Sequence, residues 1–228
     1  MSEQQIAQAP PQTPGFKMIR TLGAIAMLSG LLVVLVFQYT KPIIAENQRV
    51  AIEKAVFEVV PGASRRVDVV LGENGLLLSD DVQDAGEKIY AAFDEAGELK
   101  GVALASGAQG YQDIVKLLYG YDPDCSCIRG IKILKMTETP GLGDKIAFDP
   151  DFLQNFEALD ARLNQAGDAL VNAIVAVKSG KKQHAWEVDA ISGATISSVA
   201  VAKALNRSMQ RMAPLIQRHK EDLLRVGR

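Results

Sequence analysis

The sequence predicts an α+β fold class, with a single N-terminal transmembrane helix followed by an α+β domain. Three patterns carry that expectation: an uncharged apolar run at 21–39, several apolar-rich runs of strand length between about 88 and 192, and apolar residues at helical spacing beyond 195. The 228 residues allow one membrane segment plus one medium-sized domain with its own core. Lys and Arg number 25 against 27 Asp and Glu, so the formal charge of -2 gives no bulk drive toward nucleic acid. Only two cysteines and two histidines are present, too few for a disulfide framework, a four-ligand zinc site or a metal centre built on imidazole. A redox role would therefore need a bound organic cofactor.

Residues 1–16 form a polar tail too short for a folded domain. As a helix, 21–39 would span ~28 Å, close to the hydrocarbon thickness of a bilayer. A transmembrane helix is assigned to 17–40. A cleaved signal peptide would want small residues spaced for cleavage, and QYTKPII follows instead. A buried core helix is the other reading. Lys17 and Arg20 precede the segment, while Lys41 follows it, with Arg49 and Lys54 further on. With the free amino terminus, this mildly favours a tail inside and a domain outside. Residues 41–62 continue helically through Ile43, Ile44, Val50, Ile52, Ala55, Val56 and Val59 until Pro61-Gly62 stops them, as a connecting helix.

The domain is expected over 63–228, ending in a C-terminal helix. Runs at 88–94 and 99–106, separated by EAGE, read as a β-hairpin. Residues 128–138 alternate apolar residues with Lys132 and Lys135 and read as a strand. Residues 149–165 open with Asp149-Pro150 and read as a helix. A buried strand is expected at 169–180 and a short strand or extended entry at 185–192. Val199, Ala202, Leu205, Met209 and Met212 mark a helix that Pro214 interrupts, after which a final polar helix continues.

The most informative stretch is Asp189-Ala190-Ile191-Ser192-Gly193-Ala194-Thr195, between a strand and an amphipathic helix. Its small residues allow a tight turn and close approach of a ligand. The following helix would aim free N–H groups and its positive dipole end at the turn, which suits a phosphate. The Thr195 hydroxyl could hydrogen-bond that phosphate or be esterified by it, and Asp189 could hold Mg²⁺ nearby. On composition alone, an ordinary helix N-cap explains the same residues. Thr137-Glu138-Thr139-Pro140-Gly141-Leu142-Gly143 suits a type II turn, because Pro fixes φ and Gly accepts φ > 0.

Asp189-x-x-Ser192-Gly193-Ala194-Thr195 resembles the flavinylation motif of the FMN-binding domains of ion-translocating redox complexes, and Glu138 to Gly143 resembles the ETPGLG loop of that family. The resemblance extends over nearly the whole chain and is closest to the G subunits of Rnf electron-transport complexes, with the C subunits of sodium-pumping NADH:quinone oxidoreductases similar. It implies FMN attached through a phosphoester to Thr195 by a flavin transferase that uses FAD and Mg²⁺. It implies that Ser192, Gly193 and Ala194 shape the turn and that Asp189 assists attachment. Glu138, Thr139, Gly141 and Leu142 would line the flavin. It further implies an electron carrier in the cell inner membrane, its domain on the periplasmic side, with other membrane subunits as partners. One departure is Gln112-Asp113 after Gly110-Tyr111, where relatives tend to be Gly-rich.

An anchored assembly module without flavin is a second reading. Hydrolysis by Ser192, Ser197 or Ser198 with His184 as base is a third, weakened by the absence of a Gly-x-Ser-x-Gly elbow. Trp186 could pack beside a flavin ring or in ordinary packing. Cys125 and Cys127 could be two loop thiols, a small-ring disulfide or donors to a shared metal site. The basic C-terminus reads as a solvated face or a subunit contact.

Overall fold

The computed structural model describes residues 15–72, 75–78 and 86–227. Helix α1 (Gly15–Val59) runs unbroken through the expected transmembrane and connecting segments, with Pro42 inside it. The tail expected at 1–16 lies almost wholly outside the described residues. The apolar side chains of 16–44 are exposed, and the most apolar 18-residue window has a mean hydropathy of 2.2. This helix is long and apolar enough to cross a bilayer.

Residues 50–227 fold around a seven-stranded antiparallel sheet in the order β2-β1-β3-β4-β5-β6-β7. Its strands are β1 (Arg65–Gly72), β2 (Gly75–Leu78), β3 (Glu87–Phe93), β4 (Leu99–Gln109), β5 (Ile114–Asp122), β6 (Cys127–Lys135) and β7 (Leu159–Asp160). The hairpin expected at 88–106 is β3–β4. Its turn is pinned by the Asp94 carboxylate, which accepts from the N–H groups of Ala96 and Glu98, both at 2.9 Å. Strands β1, β2 and β5 were not marked by the sequence pattern.

Each face of the sheet meets a helix. On one face the last turns of α1 bury Ala55, Val56, Val59 and Val60 against Tyr90, Ala92, Ala103 and Leu118. The approach is close because Gly120 and Gly130 pair across β5 and β6 directly beneath Val59, where a Cβ on Gly120 would run into the Val59 carbonyl. On the other face lies α3 (Thr195–Arg218), which packs Val201, Leu205, Met209, Met212 and Ile216 onto Ile89, Leu104, Leu117 and Tyr119. Two polar contacts, one of them buried, fix its register. The Tyr119 hydroxyl donates to Ser208 Oγ at 2.8 Å, and Ser106 Oγ donates to the Ala204 carbonyl at 2.9 Å. Burial pushes the Tyr119 phenol well above its usual range, so it stays a donor at neutral pH.

Three expectations need correction. The helix expected at 149–165 is only α2 (Pro150–Gln154), N-capped by the Asp149 carboxylate, which accepts from the Phe152 N–H at 3.1 Å. Its apolar residues serve another purpose: Phe152 and Phe156 pack edge to face at 5.2 Å, and Leu159–Asp160 joins the free edge of β6 as β7. The strand expected at 169–180 shrinks to β8 (Val175–Val177), paired in parallel with β9 (Glu187–Asp189). Pro214 does not interrupt α3, which runs through it before α4 (Lys220–Val226). Pro214 is itself buried beside Met212, Ala213 and Ile216, and this packing outweighs the lost backbone hydrogen bond.

Candidate functional site

The two motifs, one ending at Gly143 and the other beginning at Asp189, meet in one cleft of about 460 Å³. Tyr111, Glu138, Thr139, Leu142, Ala194 and Thr195 line it, together with Gly143, Gly193, Ile196 and Ser197. The first motif reaches it because β6 ends at Lys135 and the chain turns over Pro140-Gly141. The Leu142 N–H donates to the Thr139 carbonyl at 3.2 Å, and Gly141 has φ of 76°, as a type II turn requires. The second motif reaches it because β9 feeds a turn in which the Ala194 N–H donates to the Ile191 carbonyl at 3.0 Å, with Gly193 at φ of 81°. Gly193 and Leu142 face each other: a Cβ on the glycine would sit 3.5 Å from Leu142 Cδ2.

Thr195 is the first residue of α3 and its side chain is exposed. The first backbone bond of the helix runs from the Ser198 N–H to the Ala194 carbonyl at 3.0 Å. The N–H groups of Thr195, Ile196 and Ser197 therefore have no acceptor within the helix and carry its positive dipole end. Ser198 holds the turn from inside, since its buried Oγ accepts from the Ile191 N–H at 3.1 Å and donates to the Ala194 carbonyl at 3.0 Å. That commitment and the position of His184, stacked on Trp186 with ring centroids 4.4 Å apart, leave no serine–histidine pair here.

Glu138, only 7 % exposed, binds three segments together. Its Oε1 accepts from the Tyr111 N–H at 3.0 Å and the Gln112 N–H at 3.4 Å, and its Oε2 accepts from the Ser197 hydroxyl in a short contact. Gln112 Nε2 also donates to Thr139 Oγ1 at 3.3 Å. At the departure Gln112-Asp113, Gln112 thus supports the cleft residues Glu138 and Thr139 from outside the lining. Tyr111, Leu142 and Ile196 stand at its mouth, each about half exposed or more. The arrangement fits a flavin mononucleotide: a hydroxyl and free N–H groups for a phosphate, and apolar side chains for a flat ring.

Other sequence-predicted residues lie elsewhere. Asp189 is directed away from Thr195. Its carboxylate accepts from the N–H groups of Gly180, at 3.0 Å, and Lys181, at 3.4 Å, while Asn155 Oδ1 accepts from its N–H at 3.0 Å. Burial pushes the neighbouring Lys182 ammonium down, opposed by Asp189 and Glu187. Ser192 is exposed in the turn and outside the cleft lining, and Trp186 packs on His184. Tyr111, Gly143, Ile196 and Ser197 were not assigned to the cofactor site by the sequence. Cys125 and Cys127 are joined in a disulfide, which corrects the reading as two loop thiols.

Residues 110–210, which include both motifs, match the FMN-binding domain family. The G subunit of the ion-translocating oxidoreductase complex of Methanosarcina acetivorans is 31 % identical over 199 residues, spanning 85 % of this chain and 92 % of that one. The chain belongs to the family of G subunits of ion-translocating oxidoreductase complexes. The G subunit of the Na⁺-translocating ferredoxin:NAD⁺ oxidoreductase complex of Acetobacterium woodii is 31 % identical over 72 % of this chain and 70 % of its own length. Among solved structures, NqrC of Shewanella oneidensis covers 80 % of this chain and 98 % of its own, with a TM-score of 0.51 at 15 % identity. That likeness shows a shared fold.

Proposed function

We propose that this chain relays electrons through FMN held by a phosphoester on Thr195, as a subunit of a membrane-bound ion-translocating redox complex. The observation that carries the reading is the exposed Thr195 hydroxyl at the start of α3, on the rim of the cleft that both motif loops line. When bound, FMN supplies reversible electron uptake at its ring system. The chain supplies position and electrostatics. The N–H groups of Thr195, Ile196 and Ser197 receive the phosphate charge. Tyr111, Leu142 and Ile196 shield one end of the ring from water. Glu138 holds the loop that carries Thr139, Gly141 and Leu142 against the helix. Ser192, Gly193 and Ala194 form the turn that presents the hydroxyl. Asp189 assists attachment by fixing the strand that enters this turn.

In this reading residues 17–40 cross the inner membrane once, 41–62 connect, and 63–228 form the FMN-binding domain on the periplasmic side. A disulfide supports that side, since such bonds persist in oxidising compartments. The apolar stretch 21–39 carries no charged residue, so ion movement belongs to partner subunits, as in the complexes named for its relatives. A flavin transferase installs the cofactor.

The test is expression beside a flavin transferase, denaturing gel separation and ultraviolet illumination. The wild-type band fluoresces, and the peptide containing Thr195 gains the mass of FMN less water. Thr195→Val gives a dark band with an unchanged circular dichroism spectrum. A bare Thr195 in wild-type chain from a flavinylating host would overturn the proposal, and a fluorescent Thr195→Val band would move the attachment elsewhere.

A further inference from the structure

The β5–β6 turn, at the opposite end of the strands from the cleft, carries the Cys125–Cys127 disulfide. The hairpin does not depend on this bond for its shape. The ladder already pairs Asp122 with Cys127 and Tyr121 with Ile128. The Asp122 carboxylate accepts from the Asp124 N–H at 2.8 Å and the Cys125 N–H at 3.4 Å, and the Ser126 carbonyl accepts from the Ala161 N–H at 3.0 Å. Cross-linking residues two apart removes little unfolded-chain entropy, because the gain grows with the length of the closed loop. Within this turn Ser126 has φ of 52°, the only left-handed non-glycine among the described residues.

The two residues differ in exposure. Cys125 is exposed in the turn, while Cys127 is 7 % exposed and locked between β5 and β7. An open groove of about 790 Å³, lined by Gly97, Lys100, Pro123, Asp124 and Lys220, borders the same turn but does not include either cysteine.

We propose that Cys125–Cys127 is a thiol–disulfide exchange site whose substrate is a dithiol. A thiolate of the dithiol attacks Cys125 Sγ, forming a mixed disulfide while the bond to Cys127 breaks. Cys127 leaves as a thiolate and takes up a proton. The second thiol of the dithiol then attacks its own sulfur in the mixed disulfide, releasing Cys125 as a thiolate that is protonated in turn. Two electrons and two protons pass from the dithiol, now an intramolecular disulfide, to the chain. The reverse sequence recloses the ring. Strand β5 alone spans about 27 Å, so this chemistry is separate from the cleft and does not rest on the flavin reading.

The full-length chain in detergent is treated with dithiothreitol under native conditions, quenched with acid and alkylated with a maleimide mass tag. Both cysteines are expected to label at a rate proportional to dithiothreitol, with near- and far-ultraviolet circular dichroism unchanged, and oxidised dithiothreitol is expected to reclose the pair. Labelling only after denaturation, or loss of the near-ultraviolet signal on reduction, would make the bond a structural staple and overturn the proposal. The polarity has its own readout. With Cys127→Ser the remaining thiol should alkylate at least about tenfold faster than with Cys125→Ser. Should a variant fail to fold, reduced wild-type chain given less than one equivalent of the maleimide tag gives the same answer: the tag maps to Cys125, and a tag confined to Cys127 would refute the direction of attack.

Discussion

Strand β5 ends in two junctions held in opposite ways. Before Ile114, the turn at 110–113 closes through the Gly110 N–H on the Asp113 carbonyl at 2.9 Å, and one buried carboxylate, Glu138, ties it to α3 by accepting from the Tyr111 and Gln112 N–H groups and from Ser197. After Asp122, the turn is held several times over, by the ladder, by the Asp122 carboxylate, by Ala161, by a disulfide and by an ion pair from Lys220 to Asp124 at 2.5 Å. A carboxylate that ties three segments together is hard to replace, because without it the buried Ser197 hydroxyl loses its acceptor and the exposed turn loses its link to the helix. A redundantly held turn can open one bond and keep its shape. The first design fixes a cleft, and the second tolerates chemistry.

The contrast predicts a graded set of losses. Glu138→Ala leaves the buried Ser197 hydroxyl without its acceptor and frees two N–H groups of the exposed turn, so we expect about 3 kcal/mol of destabilisation in denaturant melts. Glu138→Gln, which keeps one acceptor oxygen, should lose clearly less; equal losses would mean that the clamp matters only through its volume. Gly143→Ala comes next. Its Cβ would lie 2.7 Å from Ser197 Oγ and 2.8 Å from Glu138 Oε2, forcing the clamp apart at about 2 kcal/mol. An unchanged melting temperature would show that the loop can retreat freely. At the other end, replacing Cys125 and Cys127 together by Ser should cost at most about 1.5 kcal/mol, read as a melting shift of no more than ~5 °C. A loss as large as that of Glu138→Ala would erase the distinction between the two ends. The smallest effect belongs to Lys220→Met. Its exposed pair with Asp124 is expected to contribute about 0.5 kcal/mol, and that difference should vanish in high salt.

Legibility in the sequence followed the range of the interactions. The membrane helix, the β3–β4 hairpin and α3 rest on local periodicity and local turn residues such as Asp94 and Gly97, so they could be read directly. Strand β5 could not, although it lies in the middle of the sheet. In its interior Leu117 to Tyr121 are buried without a break, and an unbroken apolar run has no period to distinguish strand from helix. The region 149–165 misled for the converse reason. Its spacing fits a helix, yet Leu159 and Asp160 are captured by the edge of β6. Within the site, the turn-forming residues Pro140, Gly141 and Gly193 announced themselves, because a Pro-Gly pair and a glycine before a helix have local conformational meaning. Ser197 gave no such signal. Its role exists only because Glu138, 59 residues earlier, is folded against it.

By itself, the sequence determined the single apolar span, the α+β class, the two loops with their turn geometry and the hydroxyl at a helix start. These are fixed by backbone preferences and hydrophobic period, which act over a few residues. Only the tertiary structure decided that the two loops share one cleft, that Asp189 holds a neighbouring turn rather than facing Thr195, and that the two cysteines pair with one residue exposed and the other buried. Those outcomes depend on which strand edges and helix faces meet. That is settled by burial summed over the whole core, a quantity no short stretch of residues contains.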